Sequence, residues 1–206
     1  LAERLIVVNV MDNEIALQFE NGLLKQVHTA GRYTYWKSVL NYEFVMIDTS
    51  KIEITENISK AILQNKLLAP YVRTYNVDNA EKALLFVDGK FVQVLQAGVY
   101  MWWKNNIVIT VAKADTRTQQ MEINGQEILT KDKASLRLNA WAQYRVVDIE
   151  KAALLNKDYE KQLYVAFQLG IREYIGAYSL DELLASKDSI ASFVLEAVKE
   201  KAAAMG

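Results

Sequence analysis

Cysteine is absent from the 206 residues, which excludes disulfides, thiolate nucleophiles and Cys-based metal sites. A chain without thiols fits a reducing compartment, and cytoplasmic exposure is the default expectation. Histidine occurs once, as His28, so a metal or nucleophilic centre would have to come from clustered carboxylates or a Ser–Lys pair. Ser59–Lys60 and Ser186–Lys187 are only sequence neighbours, and adjacent residues of a helix do not face each other. Glycines are few and scattered, with no G-x-x-x-x-G-K run, which leaves no loop to cradle a phosphate. No cofactor, metal or catalytic residue is therefore expected.

Net charge is nearly absent too. A formal charge of -1 gives no global field that would draw the chain onto nucleic acid or an anionic membrane. Long apolar runs are missing: Met101–Trp103 and Ala202–Met205 fall far short of the roughly 20 residues a spanning helix needs. No clustered basic patch or lipid-anchor motif compensates. A start at Leu1 rather than Met, and an end in an Ala-rich helical stretch, are what a fragment with flanking sequence removed would show.

What the chain has is apolar residues in abundance, 51% of the total, enough to bury the core of one or two compact domains. It also repeats itself. At an offset of 67, Ala16, Leu17, Phe19, Gly22, Gln26, Val27, Ala30, Gly31, Tyr33, Trp36, Lys37, Asp48 and Thr49 fall without a gap on the same residue types, from Ala83 to Thr116. Asn21-Gly22 and Asp88-Gly89 are hairpin signals, because both central positions of a type I′ turn need positive φ. Each copy reads as strand, tight turn, strand, turn, strand. Between them the spacing predicts a helix over Ile58–Leu68, ended by Pro70, the only proline, and a linker over Leu68–Asn79.

After the second copy, Leu136, Leu138, Ala140, Ala142, Tyr144 and Val146 alternate with Ser135, Arg137, Asn139, Gln143 and Arg145, the pattern of a half-buried strand. Trp141 breaks the polar face. Cover for a neighbouring element is the expected role, and a contact surface the alternative. From Asp148 the period becomes helical. Asp148 can cap a short helix through Leu155, and Asp158 can cap a second whose Leu163, Phe167, Gly170, Ile171 and Tyr174 share a face. Ser179 and Glu182 form a capping box that opens a third helix at Leu180. Within it Ala191, Val194, Val198, Lys201 and Met205 follow heptad-like 3, 4, 3, 4 spacing, too short a run to define a coiled coil alone.

Two further groups of residues have ordinary structural readings. His28 falls opposite Leu95 in the repeat, a strand position that accepts an apolar side chain. Tyr33, Tyr35 and Trp36, with Tyr100, Trp102 and Trp103, are expected to pack inside their small sheets rather than form a lipid-facing or partner-facing edge.

The strings Asp115-Thr116-Arg117-Thr118-Gln119, Gln126-Glu127-Ile128-Leu129-Thr130-Lys131-Asp132, Tyr144-Arg145-Val146, Asp158-Tyr159, Arg172, Gly176 and Ser179-Leu180-Asp181-Glu182-Leu183-Leu184 together resemble the SPFH (stomatin/prohibitin/flotillin) domain. The resemblance covers Glu81–Gly206. Some of these residues have a physical reading: Thr130-Lys131-Asp132 turns the chain between strands, and Gly176 suits a left-handed helix end. Unlike stomatin relatives, the chain shows Asn124-Gly125 and a second β copy; the latter is similar to some bacterial slipin-like members of the family, a slight pointer to a bacterial origin that leaves the source organism open. The fold class expected is α+β: an antiparallel β-rich N-terminal half with an internal repeat, then an SPFH-type sheet and C-terminal helices. The domains expected are 1–75, and 76–206 with β structure over 81–147 and helices over 148–206.

The resemblance implies a non-enzymatic scaffold subunit. It would form a homo-oligomer through a C-terminal coiled coil at a membrane surface, organising membrane components or regulating a membrane protease, with no nucleic-acid partner. Location would be membrane-associated on the cytoplasmic side, the present stretch itself being soluble. Candidate oligomer or partner contacts are Trp141, Ala191, Val194, Val198 and Met205. The alternative is a soluble adaptor that binds a client protein through a strand edge or the aromatic turns, without membrane contact.

Overall fold

The structure, a computed structural model, describes residues 5–37, 40–186 and 188–206; Lys187, half of the Ser186–Lys187 pair, lies outside them. The architecture is α+β, β-rich first and helical last. Two compact units are present. One comprises residues up to Asn76 with Phe86–Lys90 and Gly98–Thr110; the other comprises Val77–Leu85, Phe91–Ala97 and Val111–Gly206.

Ten strands come first: β1 Leu5–Val10, β2 Glu14–Glu20, β3 Leu23–His28, β4 Gly31–Trp36, β5 Tyr42–Asp48, β6 Val72–Val77, β7 Glu81–Val87, β8 Lys90–Leu95, β9 Gly98–Trp103 and β10 Ile109–Asp115. Every strand of the second five is displaced from its counterpart by the same 67 positions. Pairing repeats as well: β1–β4 and β6–β9 form two-stranded ribbons, while β3-β2-β5 and β8-β7-β10 form three-stranded sheets. Both hairpin turns have the predicted backbone, with φ of 50° and 81° at Asn21 and Gly22, and 48° and 76° at Asp88 and Gly89.

The same residues tie down the next loop. Asn21 N–H donates to the Asn41 carbonyl at 3.0 Å, and its Oδ1 accepts from Asn41 N–H at 3.3 Å. Asp88 makes the equivalent pair with Val108 at 2.8 and 2.9 Å. The hydroxyls of Thr49 and Thr116 likewise donate to the carbonyls of Asn13 and Ala80.

Two expectations fail between the copies. The helix predicted over Ile58–Leu68 shortens to α1, Lys60–Leu63, whose Ser59 cap accepts the Ile62 N–H. The predicted linker over Leu68–Asn79 is a 3-10 turn, Ala69–Tyr71, followed by β6. Strand β6 is specified by partners far away in sequence: it pairs with β9, and the Arg73 guanidinium donates to the carbonyls of Ile107, at 2.7 Å, and Asn105.

Strand β2 is buried on both faces. Ile15, Leu17 and Phe19 cluster with Ile47, Leu63, Leu68 and Trp103, while Ala16 packs with Val8 and Val10. Trp103 is 0% exposed, its N–H donating to the Ile52 carbonyl and its indole Nε1 to Glu56. Its counterpart Trp36 is 62% exposed, against the expectation that it would pack inside its sheet. Replacing the buried indole removes contacts on every side, so Trp103→Ala should cost about 3–5 kcal/mol, and Trp36→Ala within about 0.5 kcal/mol of nothing. Urea unfolding of the two variants measures both.

In the second unit β11, Gln119–Leu129, and β12, Ser135–Tyr144, form an antiparallel ribbon. Asn124-Gly125 makes a bulge within β11, with Gly125 at φ 64°. The Thr130-Lys131-Asp132 turn joins the strands as read from the sequence. Thr130 Oγ1 donates to Asp132, whose carboxylate also takes the Leu180 N–H at 3.2 Å and is held below its ordinary pKa, first by the Thr130 bond.

A π-helical turn, Glu150–Leu155, follows, with the Asp148 carboxylate accepting the N–H groups of Glu150 and Lys151 at 3.1 Å. Helix α2, Tyr159–Ala177, is capped by Asp158 and buries Leu163, Gly170, Ile171 and Tyr174. Gly176 is an ordinary residue of its last turn and has no left-handed backbone, a correction to the sequence reading. The third predicted helix is two: α3, Leu180–Ala185, and α4, Ser189–Met205. Ser186 stops the first by donating its hydroxyl to the Glu182 carbonyl at 2.6 Å. The capping box is complete, so Ser179→Ala should lower stability by about 1 kcal/mol, read as a shift of the urea midpoint at unchanged slope.

Candidate partner-binding groove

Strand β12 turns Leu136, Leu138, Ala140 and Ala142 toward α2 and α4, where they pack on a core of Ile123, Ile128, Leu163, Ile171, Tyr174, Ile175 and Val194. Among the described strands β12 pairs only with β11, so its other edge carries no ladder. Along that strand runs a groove of about 580 Å³. Residues 138–143 of β12 form one wall; Ile123 of β11, Phe167 and Ile171 of α2, and Ile190, Ala191, Val194 and Leu195 of α4 form the remainder. The lining is chiefly apolar. Trp141 stands at the rim, 63% exposed and opposite Glu122 in the register, so it does not cover a neighbouring element as expected.

The five residues singled out from the sequence separate here. Trp141, Ala191 and Val194 all line the groove. Val194 and Val198 are buried against α2, where a Cβ on Gly170 would meet their methyls at 3.5 and 3.8 Å. Met205 is half-buried against the same core. The heptad-like spacing thus marks the face that α4 applies to α2 within the unit, at least at Val194 and Val198. Phe167, Ile190 and Leu195 were not singled out as contacts. Leu195, 61% exposed beside the seam, carried the only available signal: an apolar residue off the buried face.

Charge and titration lie away from the groove. Burial, followed by Glu160, pushes the Tyr144 phenol far up, and burial, followed by Glu160, raises Tyr159. Asp115, bonded to the Arg117 side chain and N–H, is held down at about 2. Among the described residues no three side chains cluster as metal ligands, and no helix is long and apolar enough to cross a membrane.

The close α2–α4 approach at Gly170 makes a directional test. Gly170→Ala adds a methyl at ordinary contact distance and removes glycine's helix penalty, so a gain of about 0.5–1 kcal/mol is expected; Gly170→Leu overpacks the contact and should lose about 1–3 kcal/mol. Thermal unfolding of the pair checks the opposite signs.

Comparison with known proteins places this unit in a family. Residues 75–206, more than half of the chain, match the SPFH domain / Band 7 family. An uncharacterized protein of Methanocaldococcus jannaschii is 35% identical over 134 residues, covering 63% of this chain and 64% of the relative. A stomatin homolog of Pyrococcus horikoshii is 34% identical over 117 residues, 55% of this chain and 42% of its own length. Stomatin-4 of Caenorhabditis elegans is 23% identical over 124 residues, 60% of this chain and 44% of its own. The chain spans less than two thirds of the length of each of these relatives. It belongs to the SPFH domain / Band 7 family.

Proposed function

We propose that this chain is a subunit of a non-enzymatic scaffold that assembles with copies of itself at a membrane surface. The observation that carries the reading is the apolar groove beside the unladdered strand β12, with Trp141 at its rim. An exposed strand edge offers backbone donors and acceptors to any extended segment, and an apolar floor beside it supplies the burial that makes such pairing stable. Family membership supports a scaffold role over a catalytic one.

Attachment in this reading is collective. The net charge of -1 gives one subunit little pull toward an anionic surface, whereas linked subunits turn later contacts into intramolecular ones and raise avidity without new chemistry. Organisation of membrane components and regulation of a membrane protease on the cytoplasmic side are the roles that fit such an array. Because Val194 and Val198 are committed to α2, lateral assembly rests on the groove and Trp141 more than on the α4 seam. A client strand from another protein could take the same edge, which keeps an adaptor without membrane contact as the second reading.

Light scattering of this chain beside a longer chain, each as wild type and as Trp141→Glu, tests the proposal. Large oligomers that shrink in the variant support it. Assembly indifferent to the substitution removes the groove from the interface, and monomers in every case leave the adaptor reading.

A further inference from the structure

The first copy contains a buried polar cluster that the second copy lacks. His28 on β3 is 3% exposed, and its Nε2 lies 2.8 Å from both Gln18 Oε1 and the Tyr35 hydroxyl. Gln18, itself buried, donates its amide N–H to Glu20 Oε1 at 3.0 Å, which leaves its Oε1 for the imidazole. The rings of Tyr33, Tyr35 and Phe44 enclose the histidine at centroid distances of 4.3, 5.9 and 6.4 Å. Three strands of the copy and its ribbon strand β4 therefore meet on one imidazole.

Sixty-seven positions on, His28, Gln18, Glu20 and Tyr35 are replaced by Leu95, Leu85, Val87 and Trp102. Leu95, Leu85 and Trp102 are buried in strands with the same bounds and pairing. The backbone design accepts an apolar set here, so the fold alone does not require the histidine and its partners.

The geometry points to a pH-responsive lock: neutral His28 joins β2, β3 and β4, and its protonation loosens the first copy while leaving the second unaffected. The groups facing the imidazole are Gln18 and, through it, Glu20 from β2, Tyr33 and Tyr35 from β4, and Phe44 from β5, with Tyr42 against Tyr35 and Phe44. Glu20 is the carboxylate among them, and it is engaged by the Gln18 amide. A second proton would put a cation where water cannot follow.

Burial accordingly lowers the His28 pKa. A histidine whose folded value lies below its unfolded one adds full stability above about pH 6.5, and that stability falls away as acid enters. The displaced carboxylates, Asp48, Glu81, Asp115, Asp132 and Glu182, all move downward, away from this window.

His28 is the only histidine, so one imidazole resonance reports it without assignment ambiguity. The experiment follows that resonance in this chain from about pH 7.5 to 5, with amide hydrogen exchange, corrected for intrinsic rates, read at each end. The expected result is a several-fold loss of protection confined to β2–β5, in step with titration of His28. The double variant Gln18→Leu/His28→Leu, which carries the second copy's residues, should hold β2–β5 protection constant. Titration of His28 near 6.5 with protection unchanged overturns the lock. So does protection that stays constant to the acid end, or the same pH dependence in the double variant. If that variant does not fold, the wild-type resonance and exchange data decide.

Discussion

Strand β2 has to be covered on both faces, and the arrangement of the first unit follows from that requirement. Ala16 and Leu17 are each 0% exposed yet point in opposite directions, so one layer of packing cannot serve. The β1–β4 ribbon supplies one layer through Val8 and Val10. The other comes from α1, Leu68 and Trp103, which belongs to the ribbon of the second copy. A strand buried in this way has no polar face to give to solvent, and any polar side chain on it must find partners inside. Gln18 does so through His28 and Glu20.

The two ribbons show what the requirement means for a repeat. The register of β1 with β4 puts Leu5 opposite Trp36 and Val7 opposite Thr34 on the face away from Ala16. The corresponding face of β6–β9 carries Val72, Met101 and Trp103, all packed into the core beside β2. The same tryptophan is thus a core residue in one copy and a surface residue in the other. The difference lies in what each ribbon has been given to cover, since no described segment lies over Trp36 as residues 52–68 lie against Trp103.

Much of this was legible in the sequence because it is local. The 67-residue offset, the Asn-Gly and Asp-Gly turns, the Asp158 and Ser179 caps and the alternation of β12 depend on residues a few positions apart, and all appear in the structure. The SPFH resemblance from Glu81 onward and the family match over residues 75–206 rest on much the same stretch. What escaped is non-local. Val72–Val77 reads as a polar linker after Pro70 until β9 and the carbonyls of Asn105 and Ile107 are there to pair with it. The α4 spacing is real, but spacing cannot say whether Val194 and Val198 face a partner or α2. Trp141 was legible as an oddity and not as a groove rim, because Phe167, Ile190 and Leu195 reach the same place from other elements.

An open strand edge is a liability that proteins ordinarily blunt with lysine, proline, a bulge or a covering segment. Strand β12 has none of these within its ten residues: the bulge of this ribbon sits on β11, and Arg137 is the one charged side chain along β12. Arg137 lies opposite Glu127 in the register. Beside this edge the chain maintains an apolar groove and exposes a tryptophan, both of which raise the risk of unselected pairing. Such a combination is tolerable when the edge is normally occupied. The cost of leaving it bare supports the proposed reading, in which a strand-bearing neighbour occupies β12.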